Sequence, residues 1–205
     1  MTYSYPLTMP STPKCSNADW TLKRCQAKSF SSFTGLHQFI DHPGKWWLCT
    51  LKYPPMTLLQ AQDWIDFLMK LHGQIGTFYL TDPDGNIKRG NPLGTPLVTA
   101  FGSDRLSVTT YGWTANKAGL LYPGDWISFS NYEYKRVVES IVNSDSGGAA
   151  TIYFEPIMRV PLAGGTAIAT TSAKGIFHLE SHDVAWTTDN LMMYGLTLAI
   201  MEELS

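Results

Sequence analysis

Charged residues are scarce in this 205-residue sequence, where Asp, Glu, Lys and Arg together make up only 16% of the chain. Soluble domains usually contain roughly 25%. The net charge is −2, and the lysines and arginines form no run. Affinity for nucleic acid comes mainly from basic groups that contact phosphates. The sequence therefore lacks the basic footprint that a sequence-specific nucleic-acid-binding protein requires.

Cysteines are few, and long hydrophobic runs are missing. The three cysteines, Cys15, Cys25 and Cys49, are an odd number without metal-ligand spacing, which predicts free thiols in a reducing compartment. The first residues have neither a basic start nor a long apolar run, so we expect no signal peptide. No stretch of about 18 apolar residues is present, so we also expect no membrane span.

Sequence motifs of catalysis and cofactor binding are missing as well, including the phosphate-binding loop, the Gly-x-Ser-x-Gly elbow and the dinucleotide fingerprint. His178 and His182 lie in or beside a predicted strand, where a spacing of four is too wide for shared metal ligation. The segment 82–86 resembles the opening of a calcium loop, but its glycine is misplaced. Cys49 lies inside a predicted strand, which favours packing. The sequence predicts no catalytic residue, no metal site and no cofactor.

Aromatic residues, in contrast, are abundant, with seven Trp, ten Tyr and nine Phe. One explanation is a large dry core. The other is an extensive surface that is buried in an assembly, because interface cores are enriched in aromatics and depleted of charges. Composition alone leaves both explanations open.

One convincing helix is predicted, at residues 57–72. Thr57 and Gln60 are spaced as a capping box, and Gly73 supplies a left-handed stop. Apolar residues recur at helical spacing in two stripes, which are Leu58, Ala61, Ile65 and Leu68 in one and Trp64, Phe67 and Leu71 in the other. The rest of the chain has β patterns, so we predict a mainly β fold, a sandwich or barrel that this helix plugs or closes.

Short strands fill most of the remaining chain, and their pattern predicts how they pair. We predict strands at 19–24, 44–53, 76–80, 106–110, 125–129, 134–142, 150–155, 175–180 and 195–203. The close spacing of those after residue 97 is typical of a small antiparallel barrel. The strong last strand needs partners, and its pattern best matches the strands at 45–53 and 176–180.

Three parts of the chain follow from this pattern. Residues 1–17, rich in Pro, Ser and Thr, predict an extended N-terminal arm that is either disordered or ordered on a neighbouring subunit. Residues 18–90 and 169–205 predict a discontinuous β-sandwich domain. Residues 97–168 predict the inserted small barrel, preceded by a Pro- and Gly-rich linker at 82–96.

The sequence of residues 29–39 is typical of a loop. The dipeptide Pro43–Gly44 then predicts a turn just before the next strand. The loop is apolar but has too little local structure to bury itself, so we expect it to contact another subunit. The candidate interface residues, which include two tryptophans of that next strand, are Phe30, Phe33, Leu36, Phe39, Trp46 and Trp47.

Several short segments follow one another in a distinctive order along the chain. They are Ser29–Gln38, Gly44–Trp47, Pro54–Thr57, Leu71–Phe78, Asp82–Pro83, Leu121–Ile127, Phe154–Arg159 and Gly175–Leu179. Their order resembles that in the distal tail proteins of tailed bacteriophages, which are ring proteins at the tip of siphophage-like tails. The likeness covers roughly residues 18–203 and rests on the order of the motifs. The family pattern usually has a proline after the first serines, where this chain has Phe33 after Ser32.

The resemblance implies a non-enzymatic virion protein, assembled in the cytoplasm of a bacterial host. Its β-sandwich domains would form a hexameric ring that joins the tail tube to the tail tip or hub and lines the DNA channel. The implied partners are further copies of the chain, the tail tube protein, the hub or tip protein and the tape measure protein. DNA would only pass through, and no membrane contact is implied.

Three other functions are compatible with parts of the sequence. Another tail ring, such as a tail completion or head–tail joining protein, would share the ring architecture. A carbohydrate-binding module of the tail tip would need Trp113, Trp126 or Trp186 on an open face. A tail-associated hydrolase would need a cleft with paired carboxylates, which the sequence does not place.

Overall fold

A computed structural model describes residues 3–83, 87–189 and 192–203. Within these ranges the chain is mainly β, with one helix, α1 (Leu58–Leu71), as the sequence predicts. The predicted turn at 82–86 lies largely outside them. The strands are β1 (Leu7–Thr8), β2 (Asn17–Phe30), β3 (His37–Lys52), β4 (Thr77–Leu80), β5 (Gly94–Phe101), β6 (Ser107–Trp113), β7 (Trp126–Phe129), β8 (Tyr134–Val137), β9 (Ala150–Glu155), β10 (Ile168–Ala169), β11 (Gly175–Leu179), β12 (Thr187–Thr188), β13 (Tyr194–Gly195) and β14 (Thr197–Glu202).

The first sheet combines strands from both ends of the chain, in the order β1-β4-β11-β14-β3-β2. Strand β14 pairs antiparallel with β3 on one side and with β11 on the other. These are the two partners that the sequence pattern predicts for the last strand, so that prediction is confirmed. Alternate residues point to opposite faces of a strand, and the side chains of one face, such as Cys49, Leu51 and Ile200, form the core.

Helix α1 covers the core face of this sheet. The side-chain oxygen of Gln60 accepts the backbone N–H of Thr57 at 3.1 Å, which closes the first turn. The helix ends at two left-handed residues, His72 with φ +50° and the predicted Gly73 with φ +69°. Leu58 is exposed, so the predicted buried stripe is wrong at that residue. The buried side of the helix consists of Ala61, Trp64, Phe67, Leu68 and Leu71.

The described part of the N-terminal arm, residues 3–16, packs on its own chain. Strand β1 extends the sheet by parallel pairing with β4. The Tyr5 hydroxyl donates to the carbonyl of Lys70 at 2.7 Å, and the Trp64 indole donates to the carbonyl of Thr12 at 3.1 Å. The predicted disorder of this segment is wrong for its described part, because its apolar side chains contact this chain's own core. An additional contact with a neighbouring subunit stays a prediction.

The second sheet is a nearly closed antiparallel barrel with the strand order β10-β7-β8-β9-β6-β5. A bridge between Leu97 and Ala167 brings its two ends together. The barrel starts at Gly94 and ends at Ala169, slightly beyond the predicted 97–168. Strand β5 was not predicted, because Gly94 and Pro96 resemble the residues of a linker. Proline is nevertheless tolerated in a strand at the end of a sheet. The strand predicted at 134–142 already ends at Val137.

An aromatic cluster joins the two sheets. Trp126 and Tyr134 belong to barrel strands, and their rings stack at 4.1 Å between centroids. They pack against Trp20 and Trp47 of the first sheet, at 5.3 and 4.9 Å from the Trp126 ring. The Trp47 indole donates to the carbonyl of Tyr134 at 3.0 Å. Part of the surplus of aromatics therefore belongs to the core.

Cys49 lies in the middle of this core, and its burial raises the pKa of its thiol to about 12. None of the three cysteines forms a disulfide, as the sequence predicts. Because the thiolate is the reactive form, we expect Cys49 of the folded protein to resist iodoacetamide at pH 8. Cys15 and Cys25 are half-buried and should be alkylated first. Mass spectrometry of peptides at successive times measures the order, and equal rates at the three sites would contradict the burial of Cys49.

Within the parts of the chain that the structure describes, no helix is both long enough and apolar enough to cross a membrane.

Candidate functional site: an apolar hairpin arm

Strands β2 and β3 form a hairpin that is longer than the sheet to which it belongs. Strand β14 pairs with β3 only over Leu48–Lys52, whereas the β2–β3 pairing continues outward to Phe30 and His37. Residues 26–41, here called the hairpin arm, therefore form a two-stranded ribbon with both faces exposed. The predicted loop at 29–39 is corrected, because only residues 31–36 turn. The arm contains five paired residues of β2, Gln26–Phe30. At about 3.3 Å per residue, this paired part is roughly 16 Å long, and the turn at its tip adds to that length.

The arm leaves the body of the protein at an irregular step in the β ladder. Arg24 pairs with Lys45 and Gln26 with Asp41, so three residues of β3 lie opposite one residue of β2. Extra residues in one strand bend a hairpin and increase its twist. The predicted Pro43–Gly44 turn is thus a bulge within a continuous strand.

A group of charged residues fixes the base of the arm. Lys45 is buried, and its Nζ atom lies 3.0 Å from the Asp41 carboxylate of the arm and 3.4 Å from the Glu155 carboxylate of the barrel. The hydrogen bond from Lys45 lowers the pKa of Asp41 below its ordinary value. Arg159 donates to the carbonyl of Lys45 at 3.2 Å and to the carboxylate of Glu202 at 3.1 Å. The base of the arm is thereby bound to both sheets.

We expect Lys45→Met to loosen the arm without unfolding the protein. Ion pairs that are partly exposed to solvent contribute little individually, so the population in which the arm has detached from its base should rise roughly two- to fivefold. Trypsin should then cleave after Lys28, an exposed arm residue, correspondingly faster. The matched control is Lys52→Met, also in β3, which removes only the exposed ion pair with Asp19. Equal cleavage rates in the two variants would contradict the anchoring role.

The arm concentrates exposed aromatic surface. Phe33 is fully exposed, and Phe30 and Phe39 are 59% and 64% exposed. At roughly 200 Å² for a whole ring, these three side chains present about 450 Å², more than half of the roughly 800 Å² that one partner contributes to a standard interface. The largest apolar patch of an ordinary monomer is about 300–600 Å² and is often functional, so this surface is a candidate interaction site.

The predicted interface residues divide into two groups. Phe30, Phe33, Leu36 and Phe39 all lie exposed on the arm, together with Ile40, which the sequence analysis did not select. Trp47 is only 6% exposed and belongs to the core, so its prediction as an interface residue is wrong. Trp46 is half-buried on the opposite face of β3, because side chains alternate along a strand. The candidate site is therefore the hairpin arm, and Trp47 does not belong to it.

The tryptophans proposed for glycan binding are mostly inaccessible. Trp113 is buried, with its indole donating to the Thr110 hydroxyl at 2.7 Å, and Trp126 is in the aromatic cluster. Trp186 alone of the three is exposed, at 39%. The open aromatic platform that a carbohydrate-binding module requires is not formed by these residues.

A groove of about 470 Å³ lies beside the N-terminal segment. Lys174 sits over the Tyr79 ring there, at 4.1 Å from its centroid. Asp82 also lines the groove, but it accepts the Trp126 indole at 2.6 Å and so has a structural role. Among the residues that the structure describes, no group of three or more His, Cys, Asp or Glu could hold a metal ion.

No protein-family model matches the chain, and no curated protein matches it. The hairpin arm and the order of the sequence motifs are therefore the two observations from which a function can be argued.

Proposed function

We propose that the chain is a structural virion protein of the distal tail type. Six copies would form a ring that joins the tail tube to the tail tip or hub and surrounds the path of the DNA. The observation that carries this proposal is the hairpin arm, whose three phenylalanines stay largely exposed to solvent in the single chain. An isolated two-stranded ribbon is marginally stable in water, so an arm of this kind favours a protein completed by assembly.

The position of the arm favours a ring over a symmetric dimer. The arm extends the edge pair β2–β3 beyond the rest of the sheet. A projecting element that contacts a different surface on the next copy gives a heterologous interface. Such interfaces generate rings when the rotation between copies closes.

The charge of the chain fits passage of DNA without retention. The net charge is −2, and the basic residues are scattered along the sequence. Since affinity for the DNA backbone depends on lysines and arginines that neutralise phosphates, the channel would hold DNA only weakly. The tail tube protein, the hub or tip protein and the tape measure protein are the proposed neighbours. The proposal assigns no catalytic residue and no cofactor.

Negative-stain electron microscopy of the purified protein tests the ring. The expected class averages are annular particles with six-fold symmetry and a central channel, and Phe33→Asp should yield only small compact particles. Wild-type samples without annular particles would contradict the proposal. Affinity capture with the tail tube and head–tail connector proteins of the same phage then distinguishes a distal tail ring from another tail ring.

A further inference from the structure

We propose that the arm of one copy docks on the outer surface of helix α1 of the next copy. This inference rests on the proposed self-assembly and names its acceptor surface. The acceptor, here called the helix ridge, consists of Leu58, Leu59, Ile65 and Met69.

The helix ridge is a partly exposed apolar face of α1 among the residues that the structure describes. Residues spaced by three, four or seven along a helix lie on one side, which places Leu58, Ile65 and Met69 in one line. Leu59 lies about 100° further around the helix, on the side of the exposed Gln62 and Asp66, and forms the edge of the ridge. Leu58, Leu59 and Met69 are 50%, 75% and 52% exposed, and Ile65 is half-buried. The opposite side of the helix is buried in the core. Three long aliphatic side chains on the solvent side of one short helix favour a covering partner.

The net charges beside the two surfaces are of opposite sign. On the helix, Asp63 and Asp66 are exposed beside the ridge, and Lys70 pairs with Asp66, so Asp63 is the carboxylate available to a partner's cation. On the arm, the carboxylate of Asp41 is bound by Lys45 at the base, and Lys28 lies beside an apolar side chain, with its Nζ atom 5.7 Å from the Phe39 ring centroid. Complementary charges at the rim of an apolar contact set its register and suppress wrong partners.

The two surfaces lie at opposite ends of one strand. The arm contains the first residues of β3, and helix α1 starts six residues after the last one, Lys52. Phe33 is fully exposed, so the arm is not folded back onto its own helix. A donor surface at one end and an acceptor surface at the other allow head-to-tail contacts, and these are the heterologous contacts from which a ring is built.

Leu59→Asp is the sharpest test, because its effect on folding and its effect on docking have opposite signs. Leu59 is the second residue of the helix, and the first turn contains no acidic residue. An aspartate there stabilises the helix through its dipole, so the unfolding midpoint should stay or rise. If the arm docks on the ridge, the buried charge should raise the dissociation constant of self-association at least roughly tenfold. The matched control is Ile141→Asp, at an exposed residue of the barrel region.

Sedimentation velocity measures that constant for wild type and both variants. The inference predicts weakened association for Leu59→Asp alone, and unchanged association for Leu59→Asp would overturn it. If annular particles persist with Leu59→Asp but not with Phe33→Asp, the ring stands and the helix ridge is not the acceptor. A wild-type chain that stays monomeric at all concentrations up to ~100 μM would overturn both proposals.

A photo-crosslink locates the acceptor directly. Phe33 is replaced by p-benzoylphenylalanine, and this variant is mixed with ¹⁵N-labelled wild type and irradiated. The expected product is a crosslink between the probe at residue 33 of the variant and the ¹⁵N-labelled tryptic peptide 53–70 of the wild type. That peptide contains the whole ridge. The same probe at Ile87, another exposed residue, should not reach that peptide. A main crosslink to the arm of the partner copy, to β14 or to the barrel would overturn the inference.

Discussion

Phe33→Asp should abolish self-association of the chain and leave a folded monomer. Phe33 is fully exposed at the tip of the arm, so its replacement removes no packing within the subunit. Surface substitutions of this kind change the free energy of unfolding by about 0.5 kcal/mol or less. In an assembled contact the same residue would be a central aromatic anchor, where truncation costs about 2 kcal/mol or more. That corresponds to roughly a thirtyfold weaker contact.

Two measurements on the same variants test this. Urea unfolding should give the same free energy for Phe33→Asp and wild type, while sedimentation velocity should show only the monomer for the variant. Ile87→Asp is the control, because Ile87 is 80% exposed but lies outside the arm. Association of Phe33→Asp at the wild-type level would exclude the arm as the interface.

Trp47→Ala should produce the largest loss of stability among single substitutions in β3. Its indole lies in the cluster that joins the two sheets and donates a hydrogen bond to the Tyr134 carbonyl. Truncation of a buried tryptophan costs about 3–5 kcal/mol, and here it also leaves a buried carbonyl without its donor. The loss is thus comparable to the whole stability of a marginal domain.

Trp46→Ala is the matched control, because the two tryptophans are adjacent in sequence but occupy opposite faces of β3. Trp46 is half-buried on the outer face, so its truncation should cost about 1 kcal/mol. Urea unfolding of both variants compares the two losses. Equal losses, or a larger one for Trp46→Ala, would contradict the position of Trp47 in the core.

The helix and the pairing of the last strand were predictable because their signals are local and redundant. Helix α1 combines a capping pair at Thr57 and Gln60 with apolar residues at helical spacing. The last strand alternates, with Leu198 and Ile200 facing the core, so its pairing with β3 and β11 followed from pattern. The barrel was predictable from several short strands separated by turn residues.

The arm was missed as a hairpin because both of its faces are exposed. Strand recognition depends on one buried and one solvated face, and that alternation ends where β2 and β3 leave the sheet. Pro43 and Gly44 then resembled a turn, although they form a bulge. The run from Trp46 to Cys49 is apolar at every position, so the sequence did not show which tryptophan faces inward. The contribution of Trp126 to the first sheet's core is a long-range contact that no local pattern indicates.

The most direct test of the central claim, that the arm builds a closed ring from identical copies, is native mass spectrometry of the purified wild-type chain at low micromolar concentration. We expect a species with the mass of six chains that does not grow as the concentration rises, because a closed ring leaves no arm without an acceptor. Only the monomer at every concentration, or a ladder of masses that lengthens with concentration, would contradict a closed ring.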